Sequence, residues 1–186
     1  SVELIPEQRI LEAAVLVPTH GGVTGWAGLN WIGAHRWFEG YAGDGQTPRP
    51  VVLAIGGENV RSQAGIVVSE ERLDPRDLMV VDGITVTSAV RSTCYEMRYA
   101  VDERRAALIL SMAAYHDVVT IDELAEYASR HSGWTGIPQC RKAIAFAEEN
   151  CWSPTEFEMV WTWRVSAGLP RPLCNQPLFD RFGHHI

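Results

Sequence analysis

The titratable side chains of this chain do not form an arrangement that could catalyse a reaction. Three pairs of adjacent carboxylates fall in first or last helical turns or on exposed faces: Asp102/Glu103, Asp122/Glu123 and Glu148/Glu149. None of these pairs offers an acid and a base at a useful spacing. His184 and His185 are neighbours, so in a strand they would point to opposite faces and would not easily share one metal ion. The sequence therefore predicts no catalytic residue and no metal site within these residues.

Glu156 is the carboxylate with the clearest local assignment. Ser153 suits the N-cap of a helix, Pro154 suits its first position, and Glu156 stands where a capping box places its acid. The predicted helix runs to Gly168, and a strand is predicted after it over 173–179, followed by a turn at 180–183. Local spacing therefore assigns Glu156 to the helix cap.

Cysteine usage and hydropathy bear on the compartment. Cys94, Cys140, Cys151 and Cys174 form no C-x-x-C pair and have no histidine at zinc-finger spacing. The sequence contains neither a signal peptide nor an apolar run approaching the roughly 18 residues of a membrane span. We therefore expect a cytoplasmic protein with reduced cysteines and no membrane contact, although a disulfide between any pair stays open.

The charge of the chain argues against strong DNA binding by this region alone. The 186 residues carry 16 basic and 23 acidic side chains, for a net charge of −7. Duplex DNA binding draws much of its affinity from basic side chains that neutralise phosphates. No basic run exceeds two residues, as in Arg104-Arg105 or Arg141-Lys142. Hydrophobic content of 46% and charged content of 21% are typical of a folded globular protein.

The N-terminal half predicts a helix pair followed by a small sheet. A helix is expected over 6–17, and Thr24 is expected to cap a second, short helix over 25–34. Asp82-Gly83 is a strong signal for a tight hairpin turn. Strands are predicted from β-branched runs between turn signals, over 51–55, 65–69, 78–81 and 84–87.

The chain becomes helical from residue 88 onward. The helix predicted over 88–99 has Val90, Cys94 and Met97 on its inner face, which places Arg91 and Arg98 outside it as the candidates for nucleic-acid contact. Further helices are predicted over 102–116, 120–131 and 138–150, the first of them buried nearly all round. The fold class is α+β: an N-terminal helix pair, a small mixed or antiparallel sheet and a helical bundle, without βαβ repetition.

The seven tryptophans are unusual for a chain of this length. Four of them, Trp26, Trp31, Trp161 and Trp163, are the candidates for a partner interface. Trp161 and Trp163 lie roughly 200° apart on a helix, so one is expected in the core and the other against something else. That contact could be the rest of a C-terminal domain, a partner protein, or the region around Trp26. Packing or a protein interface is favoured over base stacking, because no basic residues interleave with the rings.

Three stretches carry a family resemblance. They are GVTGWAGLNWIGA at 22–34, DGITVTSAVRSTCYEM at 82–97 and SPTEFEMVWTWRVSAGLPRPLCNQPLFD at 153–180. The first two resemble AbiEi-type antitoxins of actinobacteria or their phages. The third resembles the opening of the very-short-patch-repair-like endonuclease domain, of the PD-(D/E)xK fold, that follows such regions. The resemblance implies an AbiEi-like α+β domain over 1–150 and the beginning of an endonuclease-like domain, with its first helix and strand or strands, over 151–186.

The resemblance also implies where nuclease chemistry would lie. In that fold an Asp and an E-x-K pair hold Mg²⁺ or Mn²⁺, and a glutamate at the start of the first helix assists them. Glu156 matches that glutamate, whereas the Asp and the E-x-K pair are expected after Ile186. Glu156 would therefore have a catalytic role only in a completed domain, and no cofactor is expected for these residues alone.

Two principal functions follow from the resemblance. The first is a non-catalytic, antitoxin-like regulatory module of a toxin–antitoxin or phage-defence system that acts on nucleic acid. It would oppose a nucleotidyltransferase-type toxin and repress transcription through a winged helix that is not among these residues. The alternative is the N-terminal part of a metal-dependent DNA endonuclease related to very-short-patch-repair nucleases. A phage-encoded defence or immunity factor built from the same parts is a third interpretation.

Overall fold

The structure, a computed structural model, describes residues 5–185. Over that range the chain forms an α+β fold with seven α-helices and one five-stranded mixed sheet, followed by a helical region. This architecture confirms the predicted fold class and its order of elements as far as the helical region. The sheet is mixed, which settles the alternative that the sequence left open.

The sheet places its shortest strand in the centre. Its strands are β1 Gly22–Thr24, β2 Val51–Ala54, β3 Ile66–Ser69, β4 Leu78–Val81 and β5 Ile84–Thr87. Their spatial order is β3-β2-β1-β5-β4. β1 pairs antiparallel with β2 and parallel with β5, while β2–β3 is parallel and β4–β5 is antiparallel. The four predicted strands are confirmed.

The central strand β1 was not predicted, and the predicted role of Thr24 is wrong. Thr24 is fully buried in β1, where its hydroxyl accepts a hydrogen bond from Thr87 at 2.8 Å. The following helix takes Gly25 as its N-cap instead. A three-residue strand with a glycine has no period of its own, so only its partners β2 and β5 define it.

The turn between β4 and β5 confirms the hairpin signal. Val81 pairs with Ile84, so Asp82 and Gly83 form a two-residue loop. Their φ angles of 47° and 79° are both positive, as the primed turns of tight hairpins require. Asp tolerates this conformation and Gly adopts it without strain, which explains the signal.

Helices cover the sheet and continue beyond it. They are α1 Pro6–Ala14, α2 Trp26–Ile32, α3 Ala89–Arg98, α4 Glu103–Tyr115, α5 Ile121–Arg130, α6 Ile137–Ile144 and α7 Pro154–Trp161. α4 is buried without a break from Ala106 to Ala114, as predicted. Thr120 and Glu123 form the complete capping box predicted for α5. No helix in the described part of the chain is long and apolar enough to cross a bilayer.

A single hydrophobic core runs from α1 to α7. Ile10 of α1, Leu53 of β2, Leu110 of α4 and Phe157 of α7 are all fully buried members of one cluster. The start of the predicted endonuclease-like region is therefore packed into the same core as the sheet. The division of the chain into two domains at residue 150 stays a prediction.

The segment after α7 does not form the predicted strand. α7 continues into a π-helical turn over Thr162–Ser166, and no strand is assigned over 173–179. Phe179 and His185 form only an isolated bridge around the predicted turn, in which Gly183 donates to the Asp180 carbonyl at 3.0 Å. Prolines at several positions lack a backbone N–H, and no neighbouring strand is present among the described residues, so an extended ladder is not stabilised.

Candidate functional site

Arg91 and Arg98 lie inside the fold, so their predicted placement outside the inner face of α3 is wrong. Their side chains are 0% and 2% exposed. Both guanidinium groups bind Glu71, which lies between β3 and a short 3₁₀ turn. Arg91 Nη2 is 2.7 Å from Glu71 Oε2, and Arg98 binds both carboxylate oxygens at 2.7 and 2.9 Å. At these positions the two arginines have no surface to offer to nucleic acid.

Trp134 completes the surroundings of these two arginines. Its ring lies 4.8 Å from the Arg91 guanidinium and 5.0 Å from that of Arg98. The carboxylate and the aromatic ring offset part of the desolvation of the two cations, while Nε and Nη1 of Arg91 have no hydrogen-bond partner within the described residues. We call Glu71, Arg91, Arg98, Tyr99 and Trp134 the Glu71 cluster. The spacing of residues 91, 94 and 98 places them on one face of the helix. It indicates that both arginines share the inner face of Cys94, which the sequence-based prediction overlooked.

The Glu71 carboxyl is held in its charged form. Burial on its own would raise the pKa of Glu71, but hydrogen bonds from Arg98, Tyr99 and Arg91 outweigh it and lower that pKa to about 2. Burial and the hydrogen bond to Glu71 raise the pKa of Tyr99. The cluster therefore contains one carboxylate, two guanidinium cations and a protonated phenol at neutral pH.

The rings of Tyr95 in α3 and of Tyr99, the C-cap of α3, form one wall of an open cleft of about 590 Å³. The ring centroids of Tyr95 and Tyr99 are 4.8 Å apart. The Arg91 guanidinium lies 6.0 Å from the Tyr95 ring, and that of Arg98 lies 5.3 Å from the Tyr99 ring. These contacts with the Glu71 cluster hold the two rings in place. Tyr41 contributes a third ring to the lining of the cleft. Residues far apart in sequence are thus brought together by the sheet and α3.

Arg49 and Arg105 provide the cationic groups of this cleft. Arg49 Nη2 binds both oxygens of the buried Glu96 carboxylate at 3.1 and 2.8 Å. Glu96 also accepts the backbone N–H of Trp26 at 3.0 Å and so satisfies the start of α2. The Arg105 side chain forms no hydrogen bond or ion pair within the described residues. Partial desolvation, followed by the positive charge of Arg49, lowers the pKa of Arg105.

Residues 40–49, which we call the cleft loop, are held firmly over this site. Gly40 lies against the indole of Trp26 with a φ of +74°, and a Cβ there would come within 2.3 Å of the ring. Arg9 donates to the Gly40 carbonyl at 3.1 Å and lies 5.0 Å from the Trp26 ring. Arg9 also bonds the carbonyl of Arg49. Both ends of the loop are therefore fixed by one arginine, and only glycine fits at its start.

Glu156 acts at the start of α7, as its spacing predicted. Its backbone N–H donates to Ser153 Oγ at 3.2 Å. Its carboxylate accepts from the backbone of Trp152 at 2.6 Å and from Asn175 at 3.2 Å, so the box closes one residue earlier than predicted. Among the described residues no three His, Cys, Asp or Glu side chains are grouped so that they could hold a metal ion. An assisting role for Glu156 in a nuclease stays a prediction.

A second ionic cluster attaches the C-terminal segment to the fold. Glu148, whose side chain is 4% exposed, binds Arg164 at 3.3 Å and Arg171 at 2.6 Å. Arg164 also donates to the Ala145 carbonyl at 2.9 Å. We call Glu148, Arg164 and Arg171 the Glu148 cluster. It holds the chain after α7 against the end of the helical region.

The four tryptophans considered for a partner interface have different surroundings. Trp26 is fully buried in the core. Trp31 is partly buried and donates its indole N–H to the Val81 carbonyl at 2.9 Å. Trp161 packs between Phe146 and Phe157, whereas Trp163 is 47% exposed. Of the four, Trp163 offers the most ring surface to a partner, and the interface role itself stays a prediction.

Large apolar side chains are exposed around Trp163. An apolar groove of about 250 Å³ runs between α7 and the segment after it, with Met159, Trp163 and Leu173 on its walls. We define the C-terminal apolar surface as the exposed groove residues Met159, Trp163 and Leu173; Leu178, Phe179 and Phe182 are exposed further along the chain. An exposed apolar concentration of this kind is typical of an interaction site.

The four cysteines carry free thiols. Cys94 and Cys140 are fully buried between α3 and α6, where the Cys140 thiol faces the Cys94 carbonyl at 4.0 Å. Burial raises the pKa of Cys151 to about 12. The raised pKa keeps the Cys151 thiol protonated, and the three buried cysteines pack as small apolar groups.

No family model, curated protein sequence or solved structure matches this chain. The likeness to AbiEi-type antitoxins and to very-short-patch-repair nucleases therefore stays a resemblance.

Proposed function

We propose that this chain is a non-catalytic, antitoxin-like regulatory module of a toxin–antitoxin or phage-defence system that acts on nucleic acid, and that it binds a protein. The C-terminal apolar surface carries this proposal. Leu173, Met159 and Trp163, which line one groove, are 84%, 69% and 47% exposed. Soluble proteins seldom leave large apolar groups together in water unless a partner covers them.

The surface is ordered before any partner arrives. The Glu148 cluster fixes Arg164 and Arg171, and Asn175 donates to the Asn150 carbonyl at 2.7 Å. Trp163 donates its indole N–H to the Pro170 carbonyl at 2.7 Å, which fixes the ring on the surface. A preorganised surface loses less conformational entropy on binding, and a fixed tryptophan is a typical hot spot.

The resemblance supplies the class of partner. It implies a nucleotidyltransferase-type toxin as the protein that this module opposes. The net charge of −7 suits a partner with a basic surface, because charge complementarity accelerates association. DNA would be bound through a winged-helix segment outside residues 1–186, consistent with the acidic balance of this region.

Mutation of the apolar surface tests the proposal. The double variant Trp163→Ser/Leu173→Ser should weaken binding to a nucleotidyltransferase toxin of the same operon by about 30-fold or more, measured by calorimetry. Val80→Ser is the matched control, because Val80 is 69% exposed on the distant edge strand β4. It should leave affinity unchanged. Equal affinities for both variants and the unmodified protein, or no binding at all, would contradict the proposal.

The alternative is that α7 belongs to a metal-dependent endonuclease. The observation in its favour is Glu156 at the rim of the apolar groove, where more protein could cover Met159. We would measure the intact mass of the natively expressed protein and test plasmid cleavage in Mg²⁺ or Mn²⁺. A mass well above 20.7 kDa with cleavage that Glu156→Gln abolishes would establish the nuclease and reject the non-catalytic function.

A further inference from the structure

We propose that the cleft below the cleft loop binds a nucleotide, with its phosphate on Arg49 and Arg105 and its base against the rings of Tyr95 and Tyr99. This site lies on α3, α4 and the cleft loop, apart from the C-terminal apolar surface. The inference therefore does not depend on the protein-binding role. The cleft of about 590 Å³ falls within the size range of small-molecule sites.

The charges in the cleft favour an anion. Its ionised side chains, among the described residues that line it, are Arg49, Arg105 and Glu96. Glu96 is only 4% exposed and already accepts hydrogen bonds from Arg49 and the start of α2. Two guanidinium groups thus face the cleft with one fully engaged carboxylate, in a chain whose net charge is −7. A phosphate between the arginines would relieve their repulsion and accept from both.

The aromatic wall offers one ring face to a planar base, because the planes of Tyr95 and Tyr99 are 49° apart. Tyr99 is 54% exposed, and its hydroxyl is bound to Glu71, so its ring is fixed and its face is available. The Tyr95 hydroxyl has no hydrogen-bond partner within the described residues and can donate to a phosphate or a ribose. Burial raises the pKa of Tyr95 to about 12, so the phenol stays neutral beside an anion. Stacking on such rings stabilises single bases by roughly 1–3 kcal/mol.

The nucleotide has two possible sources: a free mononucleotide and the phosphorylated end of an oligonucleotide. A neighbouring cleft of about 360 Å³ shares Tyr41, Arg49 and Arg105 with the first. A free mononucleotide would fill one cleft, whereas the phosphorylated end of an oligonucleotide could continue past the arginines into the other. Glu39 lines the smaller cleft, so the phosphate itself belongs to the larger one. An acidic peptide would use the arginines but would leave the tyrosine wall unoccupied.

Calorimetry on the full chain, in low and in physiological salt, tests the site. The titrants are AMP, adenosine, inorganic phosphate, a short end-phosphorylated DNA strand and an aspartate-rich peptide. We expect AMP or the DNA strand to bind more tightly than adenosine and phosphate, with affinity falling as salt rises. Binding of AMP identifies a free nucleotide as the source, and binding of the strand alone identifies an oligonucleotide end. Preferential binding of the peptide, or no binding by any titrant, would overturn the proposal.

Two adjacent arginines provide a matched pair of variants. Arg105→Gln removes a cation that makes no side-chain bond within the described residues, so folding should be unaffected. It should weaken nucleotide binding by about tenfold or more, the effect of a lost charge-assisted hydrogen bond. Arg104→Gln makes the same charge change one residue earlier, where the side chain pairs with Glu158. Tyr95→Phe should reduce affinity a few-fold. If Arg104→Gln and Arg105→Gln weaken binding equally, bulk charge and not the cleft is responsible, and the site is wrong.

Discussion

The Glu71 and Glu148 clusters share one ionic arrangement but differ in which of its members is buried. Each places two guanidinium groups on one carboxylate. In the Glu71 cluster the cations are the buried members, because Arg91 and Arg98 are 0% and 2% exposed while Glu71 is 20% exposed. In the Glu148 cluster the carboxylate is 4% exposed, whereas Arg171 is 63% exposed. The first cluster lies within the body of the fold, and the second connects the body to the C-terminal segment.

This difference determines what each cluster does for the fold. If Glu71 is neutralised, two buried cations have no anion and cannot reach water. If Glu148 is neutralised, Arg171 can turn into solvent without opening the core. The same chemistry therefore supports global stability in one place and local attachment in the other.

The largest expected effect is on Glu71. Glu71→Gln should lower the free energy of unfolding by about 3–5 kcal/mol, since it leaves two buried guanidinium groups uncompensated. Urea unfolding followed by tryptophan fluorescence measures this loss. Glu126→Gln is the control, because its partner Arg130 is 61% exposed and the pair lies in water. The control should change stability by less than about 0.5 kcal/mol. Similar losses in both variants would contradict the distinction between buried and exposed pairs.

The pH dependence of stability also tests whether the charged Glu71 carboxylate stabilises the fold. The pKa of Glu71 is about 2 in the folded chain against an ordinary value of 4.5. Because the pKa is lower in the folded chain, the charged carboxylate stabilises the fold at any pH above the pKa of the unfolded chain. This contribution is lost as the pH falls from about 5 to about 2. Relative to Glu71→Gln, the unmodified protein should lose about 2–3 kcal/mol over that interval. Parallel pH profiles for the two proteins would refute this account.

Glu148→Gln should have a smaller effect on global stability and a clear local one. We expect a loss of about 1–2 kcal/mol in urea, because Arg171 is 63% exposed and can turn into water, while Arg164 keeps its bond to the Ala145 carbonyl. Trypsin should cut the variant faster after Arg181, since the segment detaches more often. Glu126→Gln again serves as the control and should be cut at the original rate. A Glu148→Gln protein that resists trypsin like the unmodified chain would show that the cluster does not hold the segment.

The smallest expected effects come from the two helix caps. Thr120→Ala removes the complete capping box of α5 and should lower stability by about 1 kcal/mol. Ser153→Ala removes the hydrogen bond of 3.2 Å at the start of α7 and should have a smaller effect in urea, because Glu156 still caps Trp152. Hydrogen exchange should show the Ser153→Ala change mainly within α7. A larger global loss from Ser153→Ala than from Thr120→Ala would reverse the expected ranking.

Local signals explain the parts of the fold that the sequence could predict. The cap at Thr120, the Asp82-Gly83 turn and the buried run of α4 depend on neighbours within a few residues. β1 is different, because its three residues become a strand only between β2 and β5. The predicted strand over 173–179 is the reverse case. Its apolar residues favour a strand, but no partner strand lies beside them in the described chain.

The candidate sites show the same limit. Arg91 and Arg98 looked like exposed cations because Glu71 and Trp134, which compensate their burial, are distant in sequence. The pairing of Arg49 with Glu96 and the approach of Arg105 depend equally on tertiary contacts. Glu156 was easier to assign, because its bonds with Ser153 and Trp152 are made within the same helix start, and only the bond from Asn175 is distant in sequence. Spacing reveals helical faces, but it does not reveal which distant group will neutralise a charge.

The central position of β1 has a consequence for the order of folding during synthesis. Val23 in β1 must pair with Val86 in β5, which leaves the ribosome much later. Until β5 emerges, β1 has one unpaired edge, and the core side chains of α1 and α2 lack their contacts with β5. The N-terminal part therefore cannot complete its sheet on its own, and non-local pairing of this kind slows folding. A nascent chain arrested before Ile84 should bind chaperones more strongly than one arrested after α3.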